Sequence, residues 1–448
     1  MLKFSDLKNE VRNRPNLKKI IQNTSWIFTD NAIRICVNFF VSIWVARYLG
    51  PIYFGALSYA LALTSMFNVV AYLGINDLVV RELVHFRHLQ NKIMGSAFLL
   101  KIIGSVLSVA ISTSLAFWTR SSQPQVVLMV FLISISFTFQ ALDVIDFQYH
   151  SKILSKYSIW MRNIGFLVFS TLKVIFILMN LPVVYFALAS SIEILVGSIA
   201  VVIIYIAQKN SPFGWRVDKK IFKKLFLGGL PILVSGTLAL IYLKIDRILV
   251  GRIIGDVALG NYSAATALCD PWVFVPSAIA TSVFSTIIDT RKANHKLYLD
   301  RMRMILSFLM QIAFVVALLE TLFAPFLISH LFGSSYSAAA PVLAVYIWTI
   351  LFVFVDAGAV KWFLVEDLQR FLAYRALIGA VIAFMLNYLL IKRYGIVGGA
   401  TAAVLTQFII IYLFNLLFFK TRALFKMQTK AFVDVITLQN FRYFFKSK

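Results

Sequence analysis

The chain has 448 residues, 60% of them hydrophobic and only 14% charged, and its 43 Lys and Arg against 19 Asp and Glu give a net charge of +24. A soluble domain carries about a quarter charged residues, so the composition excludes a soluble globular protein and points to a polytopic helical membrane protein. A transmembrane barrel is excluded as well, because runs such as VVYFALASSIEILVGSIAVVIIYIA do not alternate at period two.

In chain order, residues 1–23 form a basic, polar tail. No small-residue cleavage site follows the first apolar run, 24–47, which is therefore expected to be an uncleaved first helix. Further spans are expected at 52–74, 93–118, 125–146, 157–180 and 182–207. After a basic linker at 208–224 come 225–253, 258–288, 302–326, 339–360, 372–391 and 396–419. This predicts an all-α protein of about twelve transmembrane helices, with one six-helix lobe at 24–207 and another at 225–419. Lys and Arg gather in the two tails, the linker and the other segments on the same side. The opposite loops hold only Arg47, Arg120, Arg252, Lys392 and Arg393. Such a bias places both termini in the cytoplasm. It also reads the positive charge as topology and attraction to anionic lipid heads, not as nucleic-acid binding. The tail at 420–448 mixes Lys and Arg with Phe425, Phe432, Val435, Phe441 and Phe444, the pattern of a helix lying on the inner membrane surface.

Two stretches share one pattern. RYLGPIYFGALSYA from Arg47 and RIIGDVALGNYSAA from Arg252 both read R-x-x-G-x-x-x-x-G-x-x-S-x-A. They pair Arg47 with Arg252, Gly50 with Gly255 and Gly55 with Gly260. Each is expected to form a tight outer turn, where glycine permits close backbone approach. With six helices per half, both halves share one orientation, a parallel repeat related by an axis along the membrane normal.

The stretch LKIDRILVGRIIG, residues 243–255, places Lys244, Asp246, Arg247 and Arg252 at or inside the membrane boundary. Two placements are open. The side chains of Lys244 and Arg247 can snorkel to the outer interface. Alternatively, transferring the frame of the first helix puts them opposite Phe39 and Ser42, about two turns inside. Lys244, Arg247 and Arg252 share a broad basic face, and Asp246 points nearly opposite. Other charges interrupt apolar runs: Asp30, Arg34, Lys101, Lys173, Glu193, Asp270, Glu320 and Asp356. A charge at the bilayer centre costs at least about 2.5–3.5 kcal/mol, so each is expected to face the bundle interior, a partner or water. Asp30 and Arg34 have the i,i+4 spacing of an ion pair, and Lys173 and Glu193 lie at similar depth on consecutive helices. Lys101 has no acid near it in sequence. With Lys244 and Arg247 it is the best candidate to line an aqueous cavity of positive potential, and Arg34 and Lys173 are further candidates. Such a cavity suits an anionic solute. Asp30, Glu193, Asp246 and Asp270 are the candidate charge partners or ion-coupling groups.

The remaining chemistry is sparse. Cys36 and Cys269 fall in apolar helices and offer no disulfide framework. His85 and His88 in HFRH are too little for a metal site. No G-x-S-x-G, Walker or dinucleotide motif is present, so no catalytic residue, metal or cofactor is expected. A membrane glycosyltransferase, ligase or polymerase would need a sizeable folded outer loop, and all outer loops are short.

ALDVIDFQYHSKILSKY (141–157), KIDRILVGRIIG (244–255), DPWVFVPSAI (270–279), LFGSSYSAAAPVL (331–343) and NYLLIKRYGIVGGATAA (387–403) together resemble the polysaccharide transporter family. Specifically, they are similar to Wzx-type O-antigen and repeat-unit flippases of the multidrug/oligosaccharidyl-lipid/polysaccharide superfamily. The likeness runs nearly the whole chain in order; one departure is the second glycine of GGATAA, where relatives often have alanine. The resemblance implies alternating access and translocation of an undecaprenyl-diphosphate-linked oligosaccharide across a bacterial cytoplasmic membrane. Membrane lipids and other polysaccharide assembly proteins are the further partners it implies. Pro231, Pro271 and Pro276 supply bend points for lobe rearrangement, with static kinks as the alternative. The coupling ion, proton or sodium, is left open. A drug/cation antiporter of the same superfamily is the alternative function, expected to have an acidic cavity; a non-transporting lipid-linked-sugar enzyme is the other.

Overall fold

The computed structural model describes the backbone of residues 15–152, 155–281, 291 and 294–437, and the side chains of 31–152, 163–281, 291 and 294–435. Among these residues the chain is helical throughout, with no strand. The helices are α1 (Pro15–Tyr72), α2 (Asn76–His85), α3 (Gln90–Thr119), α4 (Pro124–Phe139), α5 (Val144–Ser151), α6 (Ser155–Leu178), α7 (Val183–Ala207) and α8 (Lys219–Ile253). They continue with α9 (Asp256–Cys269), α10 (His295–Leu331), α11 (Ala339–Tyr346), α12 (Thr349–Val365), α13 (Arg370–Gln407), α14 (Phe414–Leu417) and α15 (Arg422–Thr437). Eight helical stretches among the described residues are long and apolar enough to cross a bilayer. The protein is a multi-pass membrane protein. α1 and α13 are each two helices joined at a glycine with positive φ, Gly50 at 68° and Gly395 at 62°. The expected span boundaries at 47/52 and 391/396 fall at these two residues.

The chain packs as two compact units, one of residues 1–41 and 67–234, the other of 42–66 and 235–448. In the first unit small residues bring helices together. A Cβ on Gly104 would press on the Val70 carbonyl, and one on Gly165 on that of Glu193. Ser105 donates to the Phe137 carbonyl and Ser108 to that of Phe67, both at 2.8 Å, and Ser198 donates to that of Phe139 at 3.1 Å. In lipid, where apolar contact alone gives helices no preference for each other, such close packing and hydrogen bonding hold them together. The linker is tied down as well. Arg216 donates its amide to the Asn91 carbonyl at 3.1 Å, Asp218 donates its amide to Ser96 Oγ at 3.0 Å, and the Trp215 indole donates to the Tyr205 hydroxyl at 3.3 Å. Asp218 then caps α8, its Oδ1 accepting from the amides of Lys220 (3.0 Å) and Ile221 (3.3 Å).

In the second unit the two repeat turns interlock. Gly50 and Gly255 both have positive φ, 68° and 117°. A Cβ on Gly55 would collide with the Asp256 carbonyl, and one on Gly260 with the Pro51 carbonyl. Pro51 and Asp256 stand in the same register as Gly55 and Gly260, so each turn packs on the other by the same contact. Tyr336 reinforces this end by donating to the Ala46 carbonyl at 2.6 Å.

These interactions explain two departures from the expected division at 208–224. The interlocked turn carries 42–66 into the second unit, and the hydrogen-bonded linker, with the start of α8, belongs to the first. The tail packs on protein along one face. α15 forms, and its Leu424, Met427, Gln428, Ala431, Asp434 and Val435 are buried against protein. Phe432 packs on Tyr412 and Phe352, and Phe425 on Tyr412, with ring centroids 5.2, 6.1 and 4.7 Å apart. Asp434 receives Arg303 at 3.0 Å and Ser307 at 2.8 Å, a pairing that holds this face on α10. Phe441 and Phe444 lie outside the described residues.

Candidate functional site

In the second unit, α8 and α9 bring four of the expected charges together. The Arg247 guanidinium lies 3.2 Å from Asp270 Oδ2. Lys244 feels the charges of Arg247, Asp270 and Asp246. Asp246 is buried on another side of α8, accepting from the Tyr262 hydroxyl at 2.6 Å, and the Tyr262 ring meets Tyr346 edge-on with centroids 5.8 Å apart. α9 has 14 residues counted from the Gly255 turn, so Asp270 at its far end lies about 20 Å along the helix from that turn. Arg247 is thereby drawn toward the far end of α9, away from the Gly255 turn. The Asp270 side chain is 53% exposed and that of Arg247 only 15%. Arg247 Nε is buried without a hydrogen-bond partner among the described residues. Arg247 thus pairs with an acid that opens toward space, and Lys244 lies within the field of both. Arg47 and Arg252 are exposed beside the Gly50 and Gly255 turns. Pro271 sits in the 3₁₀ turn Asp270–Val273 that interrupts the helix, Pro276 in the helical segment 274–281 beyond it, and Pro231 inside α8.

In the first unit Lys101 is fully buried, its Nζ 3.6 Å from Asp143 and over the rings of Tyr72 and Phe147 at 4.8 and 4.9 Å. The acid that its own helix lacks comes from the 3₁₀ turn Gln140–Asp143 between α4 and α5. Lys101 is therefore enclosed, whereas Asp143 faces a cleft of about 580 Å³ together with Arg34, Tyr72, Gln140, Glu193 and Ser198. Arg34 donates to Asn163 Oδ1 through Nη2 at 2.8 Å and Nε at 3.1 Å. The Asp30 side chain, its expected partner, lies outside the described residues. Lys173 sits over the Phe169 ring at 3.8 Å and acts on Glu193 through space, as Arg34 also does. A second cleft of about 820 Å³ shares Tyr72 and Asp143 and adds Asp77, Asp146 and His150.

Several of these partners are not legible in the sequence. Arg375, near the start of its expected span, is buried and forms a two-pronged pair with Asp356, one bond at 3.0 Å. Asp143, Asn163 and Tyr262 carry no local signal of their roles. The one usable sign is that Asp143 and Asp270 both stand in motifs, ALDVIDFQYH and DPWVFVPSAI, at breaks between helices.

Solved structures share the fold. The lipid II flippase MurJ in its inward closed conformation matches with a TM-score of 0.67 at 14% identity, over 94% of this chain and 93% of its own. An inward-facing multidrug resistance MATE transporter of the MOP superfamily matches at 0.62 and 14%, over 89% and 96%. A MOP superfamily transporter from Pyrococcus furiosus matches at 0.60 and 13%, over 94% and 96%. At such identities the likeness is one of fold, and the fold is that of these helical membrane transporters. The chain belongs to the polysaccharide biosynthesis protein family, whose model matches residues 20–288. The likeness read from the motifs is thereby borne out at the level of the family. No curated protein sequence matches the chain.

Proposed function

We propose that the protein is a flippase moving undecaprenyl-diphosphate-linked oligosaccharide repeat units, of O-antigen or a similar surface polysaccharide, across a bacterial cytoplasmic membrane. It works by alternating access between two six-helix lobes, with both termini in the cytoplasm. The observation that carries this reading is Arg247, 3.2 Å from Asp270, with a second cation, Lys244, one turn away on the same helix and within the field of the same acid. A diphosphate offers more negative charge than one carboxylate and can take over both cations through charge-assisted hydrogen bonds. The polar glycan in turn needs a wet path shielded from hydrocarbon. The decisive experiment deletes the gene and identifies the lipid-linked sugar that accumulates on the inner leaflet. Restoration by the wild-type protein but not by Arg247→Gln is expected; no accumulation at all would overturn the reading.

One observation favours the drug/cation antiporter instead. Asp143, Glu193, Asp77 and Asp146 line the clefts of the first unit, with Arg34 as a cation among them. Proteoliposomes that take up a cationic dye but leave a fluorescent lipid diphosphate unflipped would establish that alternative.

A further inference from the structure

Glu320 lies within α10, in a stretch long and apolar enough to cross the bilayer, with Leu318, Leu319, Leu322 and Phe323 exposed around it. Its Oε1 accepts a hydrogen bond of 2.6 Å from the Trp272 indole. Its Oε2 is buried and has no hydrogen-bond partner among the described residues. Those residues also provide no Lys or Arg in an ion pair with it. The Cys269 thiol, which donates to the Ala265 carbonyl at 3.7 Å, lies within the fields of Glu320, Asp270 and Arg247, but Asp270 is turned to Arg247. From α11, Tyr346 packs on Tyr262, and the neighbouring Thr321 is occupied with the Ala344 carbonyl at 3.2 Å. An ionised carboxylate placed here would have one neutral donor and no countercharge. In such surroundings an unpaired charge is far costlier than an unpaired hydroxyl.

We propose that Glu320 is a proton-binding site within the membrane span, the proton on Oε2 and the Trp272 indole donating to Oε1. Trp272 belongs to the 3₁₀ turn Asp270–Val273, whose first residue is the partner of Arg247. A shift of that turn changes the donor to Glu320 and the anion beside Arg247 together, which ties proton release to the state of the cationic pair. On release the O–H bond breaks, the proton passes to water and the electron pair stays on the carboxylate. The role in transport rests on the flippase reading; the proton site does not.

The test uses the full chain in nanodiscs without substrate. Tryptophan fluorescence is followed against pH, and subtracting the Trp272→Phe protein isolates the Trp272 signal. A one-proton transition in that signal that vanishes in Glu320→Gln is expected. Should Glu320→Gln fail to fold, Glu320→Asp is expected to retain a transition at a shifted midpoint. No transition in the wild type, or one that persists unchanged in either variant, overturns the proposal. A midpoint that moves with sodium at constant ionic strength overturns the proton in favour of a sodium site. Failure here leaves the flippase reading standing, and a normal titration in a protein that moves no lipid-linked sugar overturns that reading alone.

Discussion

Arg247 and Lys244 stand about one turn apart on α8, but only Arg247 touches Asp270 directly. A charge-assisted contact to an anionic head group is worth roughly 1.5–3 kcal/mol before solvent screening, or about ten- to a hundredfold in rate. Arg247→Gln is therefore expected to cripple flipping while the protein still inserts, and Arg247→Lys to keep part of the activity. Lys244→Glu should be worse than Lys244→Gln, because it reverses the local potential. Surface polysaccharide near normal in the double Gln variant would rule out the cationic site. Lys101 and Asp143 make a different demand. Lys101 is enclosed, so Asp143→Asn removes the counterion of a buried charge, a loss of about 3–5 kcal/mol for pairs of this kind. A clear fall in melting temperature in detergent is expected, and Lys101→Met in the same chain should recover much of it. An unchanged melting temperature would mean that the pair contributes nothing.

Among the elements, the interlocked turns give a symmetric expectation. Gly55→Ala and Gly260→Ala each push a methyl group into a backbone carbonyl of the other turn, and overpacking typically costs about 1–3 kcal/mol. Comparable losses of thermal stability at the two positions are expected; a silent substitution at either would break the reciprocity. The linker supplies a pH dependence. Hydrogen bonds from the Ile221 amide, and then the Lys92 ammonium 3.3 Å away, hold the Asp218 carboxyl below its ordinary value. A depressed folded pKa means that its contribution is fully present above the ordinary carboxylate range and is lost as pH falls through the folded value. Fluorescence of Trp215, packed on Phe98 and Tyr205, should therefore change only in acid, and Asp218→Asn should remove that acid step. A step at neutral or alkaline pH would assign the linker to another group.

For the whole molecule, orientation is the open quantity that charge alone addresses. Cysteines placed at Ser122 and Ser334 are expected to react with an impermeant reagent from outside, and those at Asn91 and Ser211 only from inside. Reversal of either pair overturns the cytoplasmic assignment of the termini.

The sequence alone carries the all-helical membrane class and some of the helix ends, but not the helix Asn76–His85 or the 3₁₀ turns Gln140–Asp143 and Asp270–Val273. Long apolar runs have no other way to satisfy their backbone in lipid than as helices, and Gly50, Gly395 and Pro124 mark chain breaks by local backbone geometry. It also determined that the charges at depth need partners, because the cost of leaving them bare is a property of each residue alone. Only the tertiary structure decided which partners they have. Lys101 finds Asp143 on a later turn, Arg34 finds Asn163, and Arg375 finds Asp356, pairings set by how helices rotate and cross. The same holds for the two units. The repeat was legible as matching glycines, but that Gly55 packs on Asp256 and Gly260 on Pro51, carrying 42–66 into the second unit, follows from close backbone approach between segments far apart in the chain. Local composition carries no record of such an approach.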